Sequence, residues 1–262
     1  MKRIALGLVL ILAVCVAARA GFSKVELAAV YVNAKPNAPL PFAASFVDLD
    51  GRKRTLGEAI GARPAVVVFA DYTCTTLCGP ILAFAAGALE KSGLAPGRDF
   101  HLVVIGIDPK DSLADALAME RSHIGTDNPV VKATVMLTGK ADAIHAVTTA
   151  AGYHYAYDKA ADQFAHPAVA YVVTAQGRIS RVLSGLGLNA TDLRLALVDA
   201  GQGRVGTIAD RIRLLCYCFD PATGIYSAAI SRIMLGAGIV TVIAMAGGIS
   251  FLAFAVKRRA PS

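Results

Sequence analysis

The sequence predicts one α/β domain, and three observations support that prediction. A short β-branched apolar run at residues 65–70 is typical of a strand buried on both faces of a sheet. Strand and helix patterns alternate after this run. Two further strand patterns follow, and after them a helix pattern begins at Asn189, a favourable N-cap residue. An alternation of this kind predicts helices packed against a central sheet.

The elements follow one another in a definite order. Residues 42–56 alternate apolar and polar side chains around Asp50-Gly51, which predicts a hairpin. The strand at 65–70 enters a turn that contains two cysteines, and an Ala-rich helix continues to about Lys91. The later predictions are strands at 100–107 and 133–137, helices at 112–123 and 141–151, a hairpin of 168–174 with 178–184, and a helix at 189–200. This is the order of a thioredoxin-like domain.

The N-terminus has the pattern of a secretory signal peptide. Lys2 and Arg3 precede an uncharged apolar run, and Ala18-Arg19-Ala20 has the small-x-small pattern of a cleavage site. Cleavage after Ala20 is therefore predicted, and the rest of the chain is expected outside the cytoplasm.

The C-terminal region predicts a membrane anchor. Residues 233–256 are a run of 24 residues (256 − 233 + 1) without a charge, and as a helix such a run is about 36 Å long, enough to cross a bilayer. Three basic residues, 257–259, follow the run, whereas only Arg232 precedes it closely, so the C-terminus is expected in the cytoplasm. The predicted localisation is the bacterial inner membrane, single-pass, with the soluble domain in the periplasm.

The predicted organisation has six parts. They are a signal peptide (1–20), a lead-in segment (21–41), the thioredoxin-like domain (42–203), a juxtamembrane segment (204–232), a transmembrane helix (233–256) and a cytoplasmic tail (257–262). The formal charge is +7, but six basic residues belong to the two ends, which leaves +1 for the rest (7 − 6). A nearly neutral domain lacks the basic surface that nucleic acid requires, and this class of partner is excluded.

Four cysteines remain after the signal peptide, in two close pairs: Cys74 with Cys78, and Cys216 with Cys218. In an oxidising compartment such pairs are disulfides or metal ligands. Cysteines four residues apart at a strand-to-helix turn lie on one face, with Cβ atoms roughly 5–6 Å apart, which suits both chemistries. The helix N-terminus lowers the pKa of a thiol and favours the thiolate. A purely structural disulfide is the alternative.

Two thiolates and a neutral imidazole suit a soft ion such as Cu(I) and also admit Cu(II). Four histidines lie within or at the ends of predicted strands and helices: His101, His123, His145 and His154, the last in a Tyr-rich strand pattern at residues 153–157. His166 lies instead in the turn before the final hairpin, and in a thioredoxin-like fold that turn packs beside the cysteine turn. His166 is therefore the candidate third ligand.

On these residues the chain resembles the Sco/SenC family, thioredoxin-fold copper-binding proteins that assist assembly of the copper centre of cytochrome c oxidase. The matching pieces are Val47-Asp48-Leu49-Asp50-Gly51, Val66-Val67-Val68-Phe69, Tyr72-Thr73-Cys74-x-x-x-Cys78, Ile107-Asp108-Pro109 and His166, which lies 88 residues after Cys78 (166 − 78). The family usually has proline after each cysteine, whereas Thr75 and Gly79 stand there in this chain. The family's usual anchor is N-terminal, whereas the anchor predicted here is C-terminal.

The resemblance implies that Cys74, Cys78 and His166 bind a copper ion, and that the two thiols cycle between a dithiol and a disulfide. It implies that Asp108 lies near the site and tunes it without binding the metal. The implied function is that of a copper metallochaperone, a carrier more than an enzyme. Its implied partners are the copper-bearing subunit of cytochrome c oxidase and other copper carriers.

The alternative function is a membrane-anchored thiol-disulfide oxidoreductase that acts on the thiols of exported proteins. Thioredoxin-type catalysts use C-x-x-C, and the extra residue between Cys74 and Cys78 favours a metal. His166 discriminates between the two functions, because disulfide exchange could proceed without it. A bond between Cys216 and Cys218 would be strained. These two cysteines are either thiols without a fixed disulfide partner, or they form a second site for a soft metal or for thiol exchange.

Overall fold

The structure is a computed structural model, and it describes residues 29–74, 78–159, 162–201, 217–220, 225–228 and 241. Its strands are β1 (Tyr31–Val32), β2 (Ser45–Val47), β3 (Lys53–Thr55), β4 (Ala65–Ala70), β5 (His101–Gly106), β6 (Thr134–Gly139), β7 (Tyr153–His154), β8 (Ala156–Asp158), β9 (Gln163–Ala165), β10 (Val169–Val173), β11 (Ile179–Ser184), β12 (Tyr217–Asp220) and β13 (Ile225–Ala228). Its α-helices are α1 (Leu56–Ile60), α2 (Cys78–Glu90), α3 (Leu113–His123), α4 (Ala141–Ala150) and α5 (Ala190–Ala200).

A seven-stranded sheet forms the centre of the fold, in the order β11-β10-β4-β5-β6-β2-β3. Strands β4, β5 and β6 are parallel, and the other neighbours pair antiparallel. All six residues of β4 are buried. Val66 and Val68 face one core cluster, whereas Val67 and Phe69 face the other. The apolar run is thus buried on both faces of the sheet, as its composition predicts.

Helices cover both faces of this sheet. On one face, α2 and α5 contribute buried leucines such as Leu82, Leu89 and Leu193 to the first core cluster. On the other face, α1 and α4 contribute Ile60 and Ile144 to the second cluster. The predicted α/β architecture is therefore confirmed, with two apolar layers separated by the sheet.

Helices α3 and α5 each begin one residue later than predicted, because the predicted first residue is the N-cap. Ser112 is the N-cap of α3: its side chain accepts a hydrogen bond from Asp115 N, and the Asp115 side chain accepts from Ser112 N. Asn189 caps α5 in the same way, with its side chain accepting from Asp192 N. Both polar residues end the preceding loop and satisfy amides of the first helical turn, so they precede the helices that they start.

The described part of the lead-in segment is joined to the domain. Strand β1 pairs antiparallel with β7, through Tyr31 opposite His154 and Val32 opposite Tyr153. Leu40 is buried in the second core cluster, and its amide donates to Gly177 O at 2.9 Å. The chain before the first hairpin therefore contributes both backbone hydrogen bonds and apolar surface to the fold.

The predicted localisation requires a correction. In the part of the chain that the structure describes, no helix is long and apolar enough to cross a bilayer, and this finding contradicts a single-pass inner-membrane protein. The residues of the predicted anchor, 233–256, lie outside the described residues except for 241, and the predicted signal peptide, 1–20, lies outside them entirely.

Candidate metal centre

The cysteine turn, defined here as residues 71–74, leaves the end of β4 and is fixed by Tyr72. The Tyr72 side chain is buried, and its hydroxyl lies 3.0 Å from Val104 O and 2.9 Å from Leu137 O. The same hydroxyl accepts a hydrogen bond from Leu137 N at 3.3 Å. Burial raises the pKa of Tyr72 far above its ordinary value, so the phenol stays protonated. The turn that carries Cys74 is thereby anchored to two central strands, β5 and β6.

Asp71 joins the cysteine turn to a distant segment. Its carboxylate is buried; one oxygen accepts from Thr73 N at 3.0 Å and from Thr73 Oγ1 at 2.9 Å. The other oxygen accepts from Phe164 N in β9 at 2.9 Å. The Asp71 carbonyl also accepts from Cys74 N at 3.2 Å. Sequence reasoning missed this residue, although a charged side chain directly after a fully buried strand is a signal, because it must find partners there.

His166 lies directly after β9, and its ring is held by a buried tyrosine. Its Nδ1 is 2.7 Å from Tyr153 Oη and 3.2 Å from Pro167 O. Tyr153 Oη also donates to Pro167 O at 3.1 Å. A metal-binding imidazole uses one nitrogen for the metal while the other donates to a fixed acceptor. The contacts of Nδ1 with Tyr153 and Pro167 thereby fix the orientation of the His166 ring.

The electrostatics of the site favour a neutral His166 imidazole. Burial lowers the pKa of His166, while the hydrogen bond to Pro167 and the negative charges of Cys74 and Asp71 oppose that lowering. Cys74 is half-buried and packs against the first core cluster. The fold links the two segments through Asp71, which accepts hydrogen bonds from Cys74 N and from Phe164 N. Neutral imidazole and thiolate are the forms that bind copper.

The other four histidines have different surroundings. His101 Nδ1 lies 2.9 Å from Ile60 O, the His154 ring stacks on Tyr31 with centroids 4.1 Å apart, and His145 is exposed on α4. His123 lies against the start of α2: a Cβ added to Gly79 would come within 2.2 Å of its Nε2. The glycine that replaces the usual family proline therefore leaves room for an imidazole next to the helix start.

Asp108 lies in the turn between β5 and α3, near a second buried carboxylate. Its Oδ1 accepts from Lys110 N at 2.8 Å, which shapes the turn. Asp111 Oδ2 accepts from Tyr72 N at 3.1 Å, whereas Oδ1 has no hydrogen-bond partner among the described residues. This turn therefore supports the cysteine turn through Tyr72, and a role for Asp108 in tuning a metal remains a proposal.

The stability of the fold is expected to depend on pH through Asp111. Burial, together with the negative charges of Asp71 and Asp108, raises the pKa of Asp111 to about 7 against the opposing hydrogen bond from Tyr72 N. Between its ordinary pKa and 7 the folded chain binds a proton that the unfolded chain has released, so the free energy of unfolding falls as pH rises through this window. Asp111→Asn carries no charge, and its advantage over wild type should grow between about pH 5 and about pH 8.

Urea denaturation of both proteins at the two pH values measures this effect, with Asp127→Asn in an exposed loop as the control. An advantage of Asp111→Asn that is equal at both pH values would show that Asp111 does not titrate in this range.

The predicted ligand set remains a prediction. Among the described residues, no three His, Cys, Asp or Glu side chains form a group that could hold a metal ion. The side chain of Cys78 lies outside the described part, as do the side chains of Cys216 and Cys218. The structure thus joins the turn that carries Cys74 to the segment that carries His166, through the hydrogen bonds of Asp71, and leaves the remaining thiols unassigned.

Comparison with known proteins identifies a family. The profile of the SCO1/SenC family matches residues 35–195, which is more than half of the chain. Among curated protein sequences, none matches the chain.

Three solved structures share the fold at low sequence identity. A protein from Aquifex aeolicus VF5 is 20% identical with a TM-score of 0.57, covering 67% of this chain and 98% of that one. Arabidopsis thaliana ScoI with copper bound is 19% identical with a TM-score of 0.52, covering 62% and 97%. BsSco, described with a disulfide switch as a member of the Sco family of cytochrome c oxidase assembly proteins, is 18% identical with a TM-score of 0.51, covering 66% and 97%. The likenesses confirm the predicted thioredoxin-like fold.

Proposed function

This chain belongs to the SCO1/SenC family, and from that premise we propose that it is a copper-binding protein of cytochrome c oxidase assembly. Copper is its cargo. The proposed ligands are the thiolates of Cys74 and Cys78 and the imidazole of His166, and the proposed activity is delivery of copper by ligand exchange. Members that share the fold are described with copper bound and with a disulfide switch, which supports both parts of the proposal.

The observation that carries the proposal is the link that Asp71 makes between the Cys74 and His166 segments. Cys74 and His166 are 92 positions apart in the sequence (166 − 74), yet Asp71 accepts hydrogen bonds from Cys74 N and from Phe164 N, two residues before His166. The imidazole is held at Nδ1 by Tyr153 and Pro167 and is kept neutral by burial. A thiolate and an oriented neutral imidazole are a donor pair suited to copper.

The position of the pair suits a carrier. Cys74 is half-buried and its neighbour Thr73 is exposed, so a thiol of a partner can approach the site. Ligand exchange replaces one donor at a time, and copper passes on without being released into water. The proposed acceptor is the copper-bearing subunit of cytochrome c oxidase, with other copper carriers as the source.

The two proposed thiol ligands also explain a redox cycle. Forming a disulfide between Cys74 and Cys78 removes two electrons and two protons from the thiols, and a disulfide of another protein can accept them by thiol–disulfide exchange. The oxidised pair has no thiolate to offer, so it cannot bind copper. Reduction of the pair would therefore have to precede loading with copper.

Copper titration of the reduced full-length chain tests the proposal. We expect a single tight copper per chain, and we expect His166→Ala to weaken its affinity by at least the roughly 10–100-fold that loss of an outer-shell partner costs. His154→Ala, which removes an exposed imidazole outside the site, should bind like wild type.

Binding that is indifferent to His166, or absent from the reduced wild type, would contradict the proposal. Thiol–disulfide exchange that persists in His166→Ala would then favour the oxidoreductase, which needs only the cysteines.

A further inference from the structure

Asp71 forms hydrogen bonds with both segments that carry proposed ligands, although it is not itself a proposed ligand. Its carboxylate accepts two hydrogen bonds from Thr73 within the cysteine turn and one from the amide of Phe164, 93 residues away. Phe164 lies two residues before His166. A single buried side chain therefore joins the segment that carries Cys74 to the segment that carries His166.

The histidine arm, defined here as β8, β9 and His166, depends on such connections. Strands β8 and β9 pair with each other and, in the described part of the chain, form a two-stranded sheet separate from the seven-stranded one. Aromatic contacts within the arm, such as Tyr157 with Phe164 at 5.0 Å between ring centroids, stabilise the hairpin itself. They do not fix its position relative to the cysteine turn.

Described contacts of Lys110 and of Asp71 join β8, β9 and the tip between them to the neighbouring turns, and they differ in strength. Lys110 Nζ lies over the Tyr157 ring, 5.3 Å from its centroid. Lys110 Nζ lies 3.3 Å from Asp162 at the tip of the hairpin, where both side chains are more than two-thirds exposed. An exposed ion pair of this kind contributes only about 0–1 kcal/mol. The hydrogen bond from Phe164 N ends on a fully buried carboxylate. A charge-assisted bond in a buried site is stronger and better oriented.

We propose that Asp71 is a positioning residue for copper binding, which holds the histidine arm against the cysteine turn so that His166 completes the ligand set. This inference rests on the proposed function. Asp71 does not bind copper itself, since its two carboxylate oxygens are used by Thr73 and Phe164. Tyr153 orients the imidazole ring, whereas Asp71 sets the distance between the arm and the turn.

A double-mutant cycle of Asp71 and His166 in the reduced full-length chain tests the inference. Asp71→Ala should weaken copper binding by about 10–100-fold, as expected for loss of an outer-shell partner. The same substitution should have little further effect in a His166→Ala background, because the arm then carries no ligand. Asp71→Asn, which keeps one carbonyl acceptor, should give an intermediate loss and serves as the test variant if Asp71→Ala does not fold.

Asp48→Ala is the matched control. Asp48 is also a buried carboxylate that accepts two backbone amides, from Asp50 and Arg52, but its described hydrogen bonds lie within the first hairpin. Its loss should affect stability and leave copper affinity unchanged. A second readout is the electron paramagnetic resonance of bound Cu(II): imidazole nitrogen coupling should be lost in Asp71→Ala, as in His166→Ala, and retained in Asp48→Ala.

Hydrogen exchange in the metal-free chain tests the connection independently of copper. The Phe164 amide should exchange faster in Asp71→Ala than in wild type and at an unchanged rate in Asp48→Ala. Wild-type affinity or nitrogen coupling in Asp71→Ala, or an equal loss of affinity with and without His166, would overturn the inference and leave the proposed function intact. Absence of copper binding in wild type would instead overturn the proposed function, and this inference with it.

Discussion

Replacing Cys74 and Cys78 together by serine is expected to abolish tight copper binding. Serine has nearly the shape of cysteine, but its hydroxyl is not ionised near neutral pH and is a poor ligand for a soft ion. The variant loses both proposed thiolates and keeps His166 alone. The loss of affinity should therefore exceed the roughly 10–100-fold expected for an outer-shell substitution. Copper counted after competition with a chelator measures it.

Cys216→Ser with Cys218→Ser is the control for the double replacement. It removes the same number of thiols from a part of the chain outside the proposed ligand set. Tight copper lost in the first pair of substitutions and kept in the second would assign the site to Cys74 and Cys78. The reverse result would move the copper site to the second pair and contradict the proposed ligands.

Tyr72→Ala is expected to have the largest effect on stability among the site residues, about 3–5 kcal/mol by comparison with other large aromatic truncations in protein cores. The ring is buried on Gly106 and the hydroxyl bridges β5 and β6. Its removal leaves a cavity below the cysteine turn and removes the hydrogen bonds of the hydroxyl with Val104 and Leu137. The free energy of unfolding from denaturant titration measures the loss.

Tyr72→Phe separates the contribution of the hydroxyl to stability from that of the ring. It keeps the apolar volume and removes the hydrogen bonds of the hydroxyl with Val104 O and with Leu137, which should together cost about 1–3 kcal/mol. A phenylalanine variant as unstable as the alanine variant would show that packing contributes little. An alanine variant within about 1 kcal/mol of wild type would contradict the anchoring role of Tyr72.

The sequence predicts the central elements well because their signals are local. The run at 65–70 is uniformly apolar and β-branched, and it forms a strand with the predicted bounds. Ser112 and Asn189 precede helices because a side-chain cap acts within one turn. The short strands β1 and β9 have no such signal, since each of them is two or three residues long and depends on its partner strand.

The site is predictable only in part, because its contacts join distant residues. His166 could be selected from its place before the final hairpin, and in the structure its segment is joined to the Cys74 turn through Asp71. The hydrogen bond of Phe164 N to Asp71 and the contact of His123 with Gly79 depend on where the histidine arm and α3 pack. Neither contact has a local pattern in the sequence. The burial of Asp71 and Asp111 could be suspected only from their position close to the ends of apolar strands.

X-ray absorption spectroscopy of the copper-loaded full-length chain tests the central claim most directly, because it counts the sulfur and nitrogen ligands of the bound ion. We predict two sulfur ligands and one imidazole nitrogen in wild type, and two sulfur ligands without the imidazole in His166→Ala. The same imidazole contribution in both proteins, or no sulfur in either, would contradict a site formed by Cys74, Cys78 and His166.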